Sequence, residues 1–325
     1  SNNYYYLTQW KILCKKLGQQ LKYLSIGGLT ALDQLAIDIL LNYCNNLDEL
    51  RINNEIDIIS YLSIIRQTVK RIHIDCETGI GLDCISLLAF RHYAEKVIHL
   101  GRVDVEPELI DSVISTIGSN FSNLKCLSIR LRNFDIDVST PADFLFDQLE
   151  ELSLQFVNGN VDLPFQRIIA LGWTTIKCLT IQYASLTRES VDEIIRQLPQ
   201  LQKLVLHAIE FRCDHLSKRY GHRLCVECGR HCWKAMSRLT KLKHLKLHRI
   251  IIDDEICAAI QTMSELRSLD LHYCSNVNET IVDVCAQLAK RIPRQKFTLC
   301  IVSRGFLSFH NNYNKNLILD IKVAA

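Results

Sequence analysis

An apolar triplet at relative positions 0, +3 and +5 recurs along the chain. It reads Leu21/Leu24/Ile26, Leu47/Leu50/Ile52, Val69/Ile72/Ile74, Leu124/Leu127/Ile129, Leu149/Leu152/Leu154, Ile176/Leu179/Ile181, Leu201/Leu204/Leu206, Leu242/Leu245/Leu247 and Leu266/Leu269/Leu271. A degenerate copy lies near Ala94 to Leu100, and weaker ones sit at Phe297/Leu299/Ile301 and Leu317/Leu319/Ile321. The +3/+5 alternation predicts a short strand with one face buried. Between triplets, Val191, Ile194, Ile195 and Leu198, or Ile256, Ala259, Ile260 and Met263, have helical spacing and predict return helices. Thr30, Asp253 and Asn278 are placed to cap such helices, and Pro107 to open one.

The triplets follow one another at 22 to 27 residues where the copies are clean, from Leu47 to Val69 and from Leu149 to Ile176 at the extremes. Self-similarity at this period specifies a solenoid of the leucine-rich-repeat type, in which each strand and return helix bury an apolar face only against neighbouring turns. The expected fold is α/β: a horseshoe with a parallel concave sheet and outer helices. A capping helix or linker is expected over 1–20, carried by Trp10, Ile12, Leu13 and Leu17, and a single solenoid of about 11–12 repeats over 21–325. Segments Phe297–Ile301, Arg304–Phe309 and Leu317–Val323 read as strands of a C-terminal cap over 296–325.

Composition narrows the function. At 325 residues the chain exceeds what one compact core holds, and no Pro/Gly/Ser-rich linker divides it, which a one-dimensional repeat array explains. Lys+Arg 38 against Asp+Glu 35 leaves a net +3 with no long basic run, so phosphate-driven nucleic-acid binding has little support. Most of the 14 cysteines fall singly within the repeats and read as reduced thiols. The start Ser1-Asn-Asn-Tyr-Tyr-Tyr6 has no signal-peptide pattern, and no apolar run reaches membrane-spanning length. A cytoplasmic or nuclear location without membrane attachment is expected, and the sequons at Asn120 and Asn278 are read as chance. No P-loop, dinucleotide-binding glycine turn or nucleophile elbow is present, and no enzymatic role is expected.

One interval breaks the rhythm: Leu201 to Leu242 spans 41 residues. The surplus forms an insertion over 208–232 that is rich in Cys and His, including Cys225-Val-Glu-Cys228-Gly and Cys213, His215, His222, His231 and Cys232. A tetrahedral zinc ion needs four such soft ligands, and Cys213, Cys225, Cys228 and Cys232, with His215 as substitute, supply them. Ordering 16 extra residues costs about 1–2 kcal/mol each in backbone entropy, which so few aliphatics cannot offset and a structural zinc can. A loop of free thiols and an iron–sulfur cluster stay open as alternatives.

Strand alternation places positions +2, +4 and +6 on the outer, concave face of the sheet, away from the helices. The +6 row includes Arg130, Gln155, Gln182, His207, His248 and His272. With strands about 4.8 Å apart, the three histidines form a ladder. Lys203 and His244 at +2, and Lys246 and Asp270 at +4, stand beside it. This face is expected to bind a protein partner, in particular an acidic or phosphorylated segment, and the insertion is expected to wall one side of the same site.

Leu242-Lys-His-Leu-Lys-Leu-His-Arg-Ile-Ile-Ile-Asp-Asp254, and Leu266-Arg-Ser-Leu-Asp-Leu-His-Tyr-Cys-Ser-Asn-Val277 with Asn-Glu-Thr280, resemble the cysteine-containing leucine-rich repeats of F-box/LRR proteins. Only the repeat with Cys274 carries the cysteine at the family's position. The resemblance implies a substrate-recognition part of an SCF-type ubiquitin ligase. A Skp1-type adaptor would then be a partner only through an F-box upstream of Leu21. A scaffold or inhibitor, or a subunit of an RNA-processing or export assembly, is the alternative without a ubiquitin link.

Overall fold

The computed structural model describes residues 2–27, 39, 42–44, 46–53, 69–75, 94–106, 109–132, 147–157, 174–211, 226–291, 296–303 and 316–323. Two compact units are present, one formed by Ser1–Arg132 with Phe144–Leu149, the other including Glu150–Ala325.

In the first unit, helix α1 (Asn2–Leu17) precedes strands β1 (Tyr23–Gly27), β2 (Glu49–Asn53), β3 (Arg71–Asp75), β4 (Val97–Val105) and β5 (Cys126–Arg132), with helix α2 (Ile110–Asn120) between the last two. The strands pair in parallel in chain order, and the register stacks equivalent positions, Leu24 on Leu50 and Leu50 on Ile72. Leu50, Ile72, Ile74, Leu100, Leu127 and Ile129 are buried, and α2 adds Ile110, Val113, Ile114 and Ile117. Each such side chain contributes about 1.5–3 kcal/mol by leaving water. Trp10 packs against the buried pair Cys14 and Cys44. A β-carbon on Gly18 would collide with the carbonyl oxygens of Cys14 and Tyr43, so a glycine is required where α1 ends.

The second unit contains strands β6 (Glu151–Val157), β7 (Cys178–Gln182), β8 (Ser185–Leu186), β9 (Lys203–His207), β10 (Glu210–Phe211), β11 (His244–His248), β12 (Ser268–His272), β13 (Phe297–Ser303) and β14 (Leu317–Val323). Its return helices are α3 (Arg188–Gln197), α4 (Val226–Met236), α5 (Asp254–Thr262) and α6 (Glu279–Arg291). The sheet runs β6-β7-β9-β11-β12-β13-β14, all parallel, while β8 and β10 form a separate short pair. The +3 and +5 aliphatics point inward: Leu179, Ile181, Leu204, Leu206, Leu245, Leu247, Leu269 and Leu271 are all at most 1% exposed. Two helix starts follow the expected capping chemistry. The Asp253 carboxylate accepts from the Ile256 N–H at 2.8 Å, and Asn278 accepts from Thr280 at 3.1 Å. Thr187 caps α3 in the same way, accepting from Ser190. The Cys274 thiol donates to the Leu247 carbonyl of the preceding repeat at 3.4 Å, so this cysteine links adjacent turns.

Parallel strands in chain order, inward triplets and helical returns make this an α/β leucine-rich-repeat solenoid. Strands β13 and β14 carry the same sheet onward, with Leu299 beside Leu319. Thr30, Pro107 and Arg304–Phe309 lie outside the described residues. Among the described residues no helix is long and apolar enough to cross a membrane.

Candidate functional site

The outer face of β7, β9, β11 and β12 gathers most of the side chains singled out above. Register places Gln155, Gln182, His207, His248 and His272 side by side on successive strands. The rings do not keep the even spacing of the strands. His207 and His248 close to 3.9 Å between centroids, whereas His248 and His272 open to 6.2 Å.

Two tyrosines extend the row. Tyr183 lies 4.7 Å from His207, and Tyr273 meets His248 edge-on at 5.2 Å. Both occupy position +7, immediately after a strand, where the backbone turns left-handed: φ is 56° at Tyr183, 51° at Ala208, 56° at Arg249 and 53° at Tyr273. The conformation is tied into the sheet by one further backbone hydrogen bond per repeat. The N–H groups of Tyr183, Ala208, Arg249 and Tyr273 donate to the carbonyls of His207, His248, His272 and Val302 at 2.7–2.9 Å. A left-handed non-glycine residue costs on the order of 1 kcal/mol, and four in succession present their side chains at one rim of the sheet. Position +7 carries no sequence flag, since glycine or asparagine would ordinarily mark it.

Burial pushes all three ladder histidines below the ordinary histidine range. At His207 the cations Arg249 and Lys246 add to the effect, and at His272 Lys246 opposes Asp270. His248 is pushed down to about 4 by burial, then by His207, Arg249 and His272. The ladder is therefore neutral at neutral pH, and the positive potential comes from Lys203, Lys246 and Arg249. His207 Nε2 and His248 Nδ1 are buried without a hydrogen-bond partner. Each such atom costs about 1–3 kcal/mol, so the stack is held at the expense of two unsatisfied nitrogens. At the other end of β11, His244 Nδ1 lies 2.8 Å from the Ser268 hydroxyl, and Lys203 stands next to His244 in the register. Lys246 and Asp270 are register neighbours, a cation and an anion in adjoining positions.

Arg130 belongs to the first unit, where its guanidinium lies 3.8 Å from the Asp104 carboxylate. Cys213, His215 and Cys225 fall outside the described residues. Cys228 is on the first turn of α4, and Cys232 one turn later is fully buried, beside Trp233, whose ring meets Phe211 edge-on at 5.5 Å. Cys228 and Cys232 thus lie on a helix rather than in an extended loop. Among the described residues no group of three or more His, Cys, Asp or Glu is arranged to hold a metal ion. Among the described residues, Cys14, Cys44, Cys178, Cys257, Cys274, Cys285 and Cys300 are free thiols.

A scan of protein-family models gives no match, and a search of curated proteins returns no relative. Among solved structures the chain is similar to an internalin (inlF) from Listeria monocytogenes str. 4b F2365. The TM-score is 0.41 at 13% identity, over 98% of this chain and 94% of that one.

Proposed function

We propose that the chain is a protein-interaction module without catalytic activity, which holds an acidic or phosphorylated segment of a protein partner against the outer face of β7 to β12. The observation that carries this reading is the uninterrupted row from Tyr183 through His207 and His248 to Tyr273, flanked by Lys203, Lys246 and Arg249. Aromatic and imidazole rings supply contact area at low entropic cost, and the cations select for negative charge. Solenoid sheets of this kind are extended binding surfaces.

The test is quantitative capture of binding proteins by the full chain, comparing wild type with a Lys203→Glu/Lys246→Glu variant and a Tyr183→Ala/Tyr273→Ala variant. A partner lost by both variants supports the reading. Partners retained by both would move the site elsewhere.

Within this reading we place the chain as the substrate-recognition part of an F-box-type ubiquitin ligase, on the strength of the sequence resemblance and the inter-repeat thiol of Cys274. Binding of a Skp1-type adaptor by the gene product that carries this chain is the test. A partner held without any adaptor would favour a scaffold instead. A structural zinc on Cys213, Cys225 and Cys228, with His215 or Cys232 as fourth ligand, is proposed for the insertion. About one zinc per chain by elemental analysis, lost in Cys225→Ser/Cys228→Ser, is the expected result; metal-free wild type would refute it.

A further inference from the structure

Strand β14 differs from the strand before it. In β13 the inward Phe297, Leu299 and Ile301 are at most 1% exposed. In β14 the equivalent Leu317 and Leu319 are half-buried, Ile321 is 37% exposed, and Ile318 on the other face is 41% exposed. Among the described residues β14 pairs with β13 alone. Position accounts for the difference, because an inward side chain of a repeat is covered by the turns on both sides of it and β14 has such a neighbour on one side.

The hydrogen-bonding phase of the strand decides what the other edge offers. The Phe297 N–H donates to the Asn316 carbonyl at 2.9 Å. In a parallel ladder the N–H and C=O of one residue point to the same side, and successive residues alternate. Asn316, Ile318, Asp320 and Lys322 therefore turn their backbone groups to β13. Leu317, Leu319, Ile321 and Val323 turn theirs to the opposite edge. A row of edge groups is a template for another strand.

Charge selects the strand that fits. On the outer face Lys322 lies 2.9 Å from Asp320, with side-chain exposures of 64% and 44%. Beside them on β13, the Cys300 thiol donates to the Asp320 carboxylate at 3.8 Å and Val302 adjoins Lys322; Asp270 on β12 is the next residue in the Cys300 row. A second β14 laid antiparallel, with the two copies of Ile321 opposite one another, sets Asp320 of each copy against Lys322 of the other and Leu319 against Val323. Ile321 with Ile321 and Leu319 with Val323 then form the hydrogen-bonded pairs, through the backbone groups that face the edge. Asp320 and Lys322 fall at the intervening pairs, where Cα atoms come to about 4.5 Å and side chains are closest. Moving one strand by two residues sets Asp320 against Asp320 or Lys322 against Lys322. Moving it by one sets Leu319 and Ile321 against outward charges. One register satisfies backbone, apolar face and charge together, and it is two-fold symmetric.

We propose that β14 is a self-association edge, through which two copies of this chain join as a closed antiparallel dimer centred on Ile321. The second copy completes the ladder and covers Leu319 and Ile321, and the paired charges fix the register.

The test is sedimentation velocity of the full chain over a concentration series. Wild type is expected to pass from monomer to dimer as concentration rises. Asp320→Lys and Lys322→Asp each set like charges against one another, and each alone is expected to stay monomeric. An equimolar mixture of the two restores opposite charges between copies and is expected to dimerise again. Mixing cannot repair the contact between positions 320 and 322 of one strand, so recovery reports the pairing of copies. Asp320→Lys/Lys322→Asp, which restores both contacts, is expected to dimerise alone. Ile321→Pro removes an edge-facing N–H, spares the ladder to β13 and is expected to stay monomeric. Wild type that is monomeric throughout, a dimer kept by both single variants, or growth of wild type beyond a dimer would overturn the edge pairing. Failure of both the mixture and the doubly exchanged variant to dimerise would do the same.

Discussion

The outer faces of the two units solve the same placement problem with opposite chemistry. In the first, positions beside the inward triplets carry ion pairs: Glu49 with Arg71 and His73, and Asp104 with Arg102 and Arg130. In the second, the +6 row carries neutral imidazoles in tilted ring contact from His207 through His248 to His272, with Lys246 beside Asp270 in the register. The backbone is alike in both: parallel strands, Leu50 over Ile72 in one and Leu245 over Leu269 in the other. The sheet is indifferent to what its outer face displays. Stability therefore resides in the inward rows, and recognition in the outward ones.

The comparison is broken most severely if inward positions prove unequal. Ile129→Ala and Leu247→Ala, both fully buried, are each expected to cost about 2–5 kcal/mol in urea unfolding. A much smaller cost for one of them would mean that its repeat is not part of a continuous core. Next in size, Asp104→Asn is expected to lose about 1–3 kcal/mol, because it removes the enclosed carboxylate charge that lies near both the Arg102 and the Arg130 guanidinium groups. Gly18→Ala should loosen the end of α1 by about 1–3 kcal/mol through overpacking against the Cys14 and Tyr43 carbonyls, read as faster amide exchange over that helix.

The histidine face should respond to pH where the ion-paired face responds to charge removal. His248 titrates near 4 when folded and near the ordinary 6.5 when unfolded. Between these values the unfolded chain binds the proton more readily, so stability falls as pH drops from about 6.5 to about 4. His248→Phe removes the unsatisfied Nδ1 as well, and is expected to match or slightly exceed wild type at pH 7 while flattening that slope. An unchanged slope would show that the ladder is not the titrating element. The smallest effect is expected from Arg249→Gly. It relieves a left-handed residue at φ 56° and gains about 0.5–1 kcal/mol, with the His248 pKa rising as a nearby cation is removed.

The inward triplets and the histidine row were legible because strand alternation alone decides which side a residue faces, and because the repeats are in register. Lys203, His244, Lys246 and Asp270 followed from the same rule. The tyrosines at +7 were not legible. Nothing in Tyr183 or Tyr273 signals a left-handed backbone, which the inter-strand hydrogen bond of each repeat imposes. The β4 bulge, where Gly101 and Arg102 together oppose Ser128, was visible only as a copy that fits the triplet badly near Ala94 to Leu100, and Gly101 was its single hint. The neutrality of the ladder also escaped the pattern, since it depends on burial and on Arg249, a residue outside the +2, +4 and +6 rows.

Whether the histidine face is where a protein partner sits is tested most directly by photo-crosslinking from single sites. A photoreactive phenylalanine analogue would replace Tyr183 or Tyr273 in the second unit, and exposed Leu109 in the first. A defined protein adduct is expected from positions 183 and 273, abolished by Lys203→Glu/Lys246→Glu, and none from 109. An adduct of equal yield from 109, or adducts from 183 and 273 that survive the charge reversal, would contradict it.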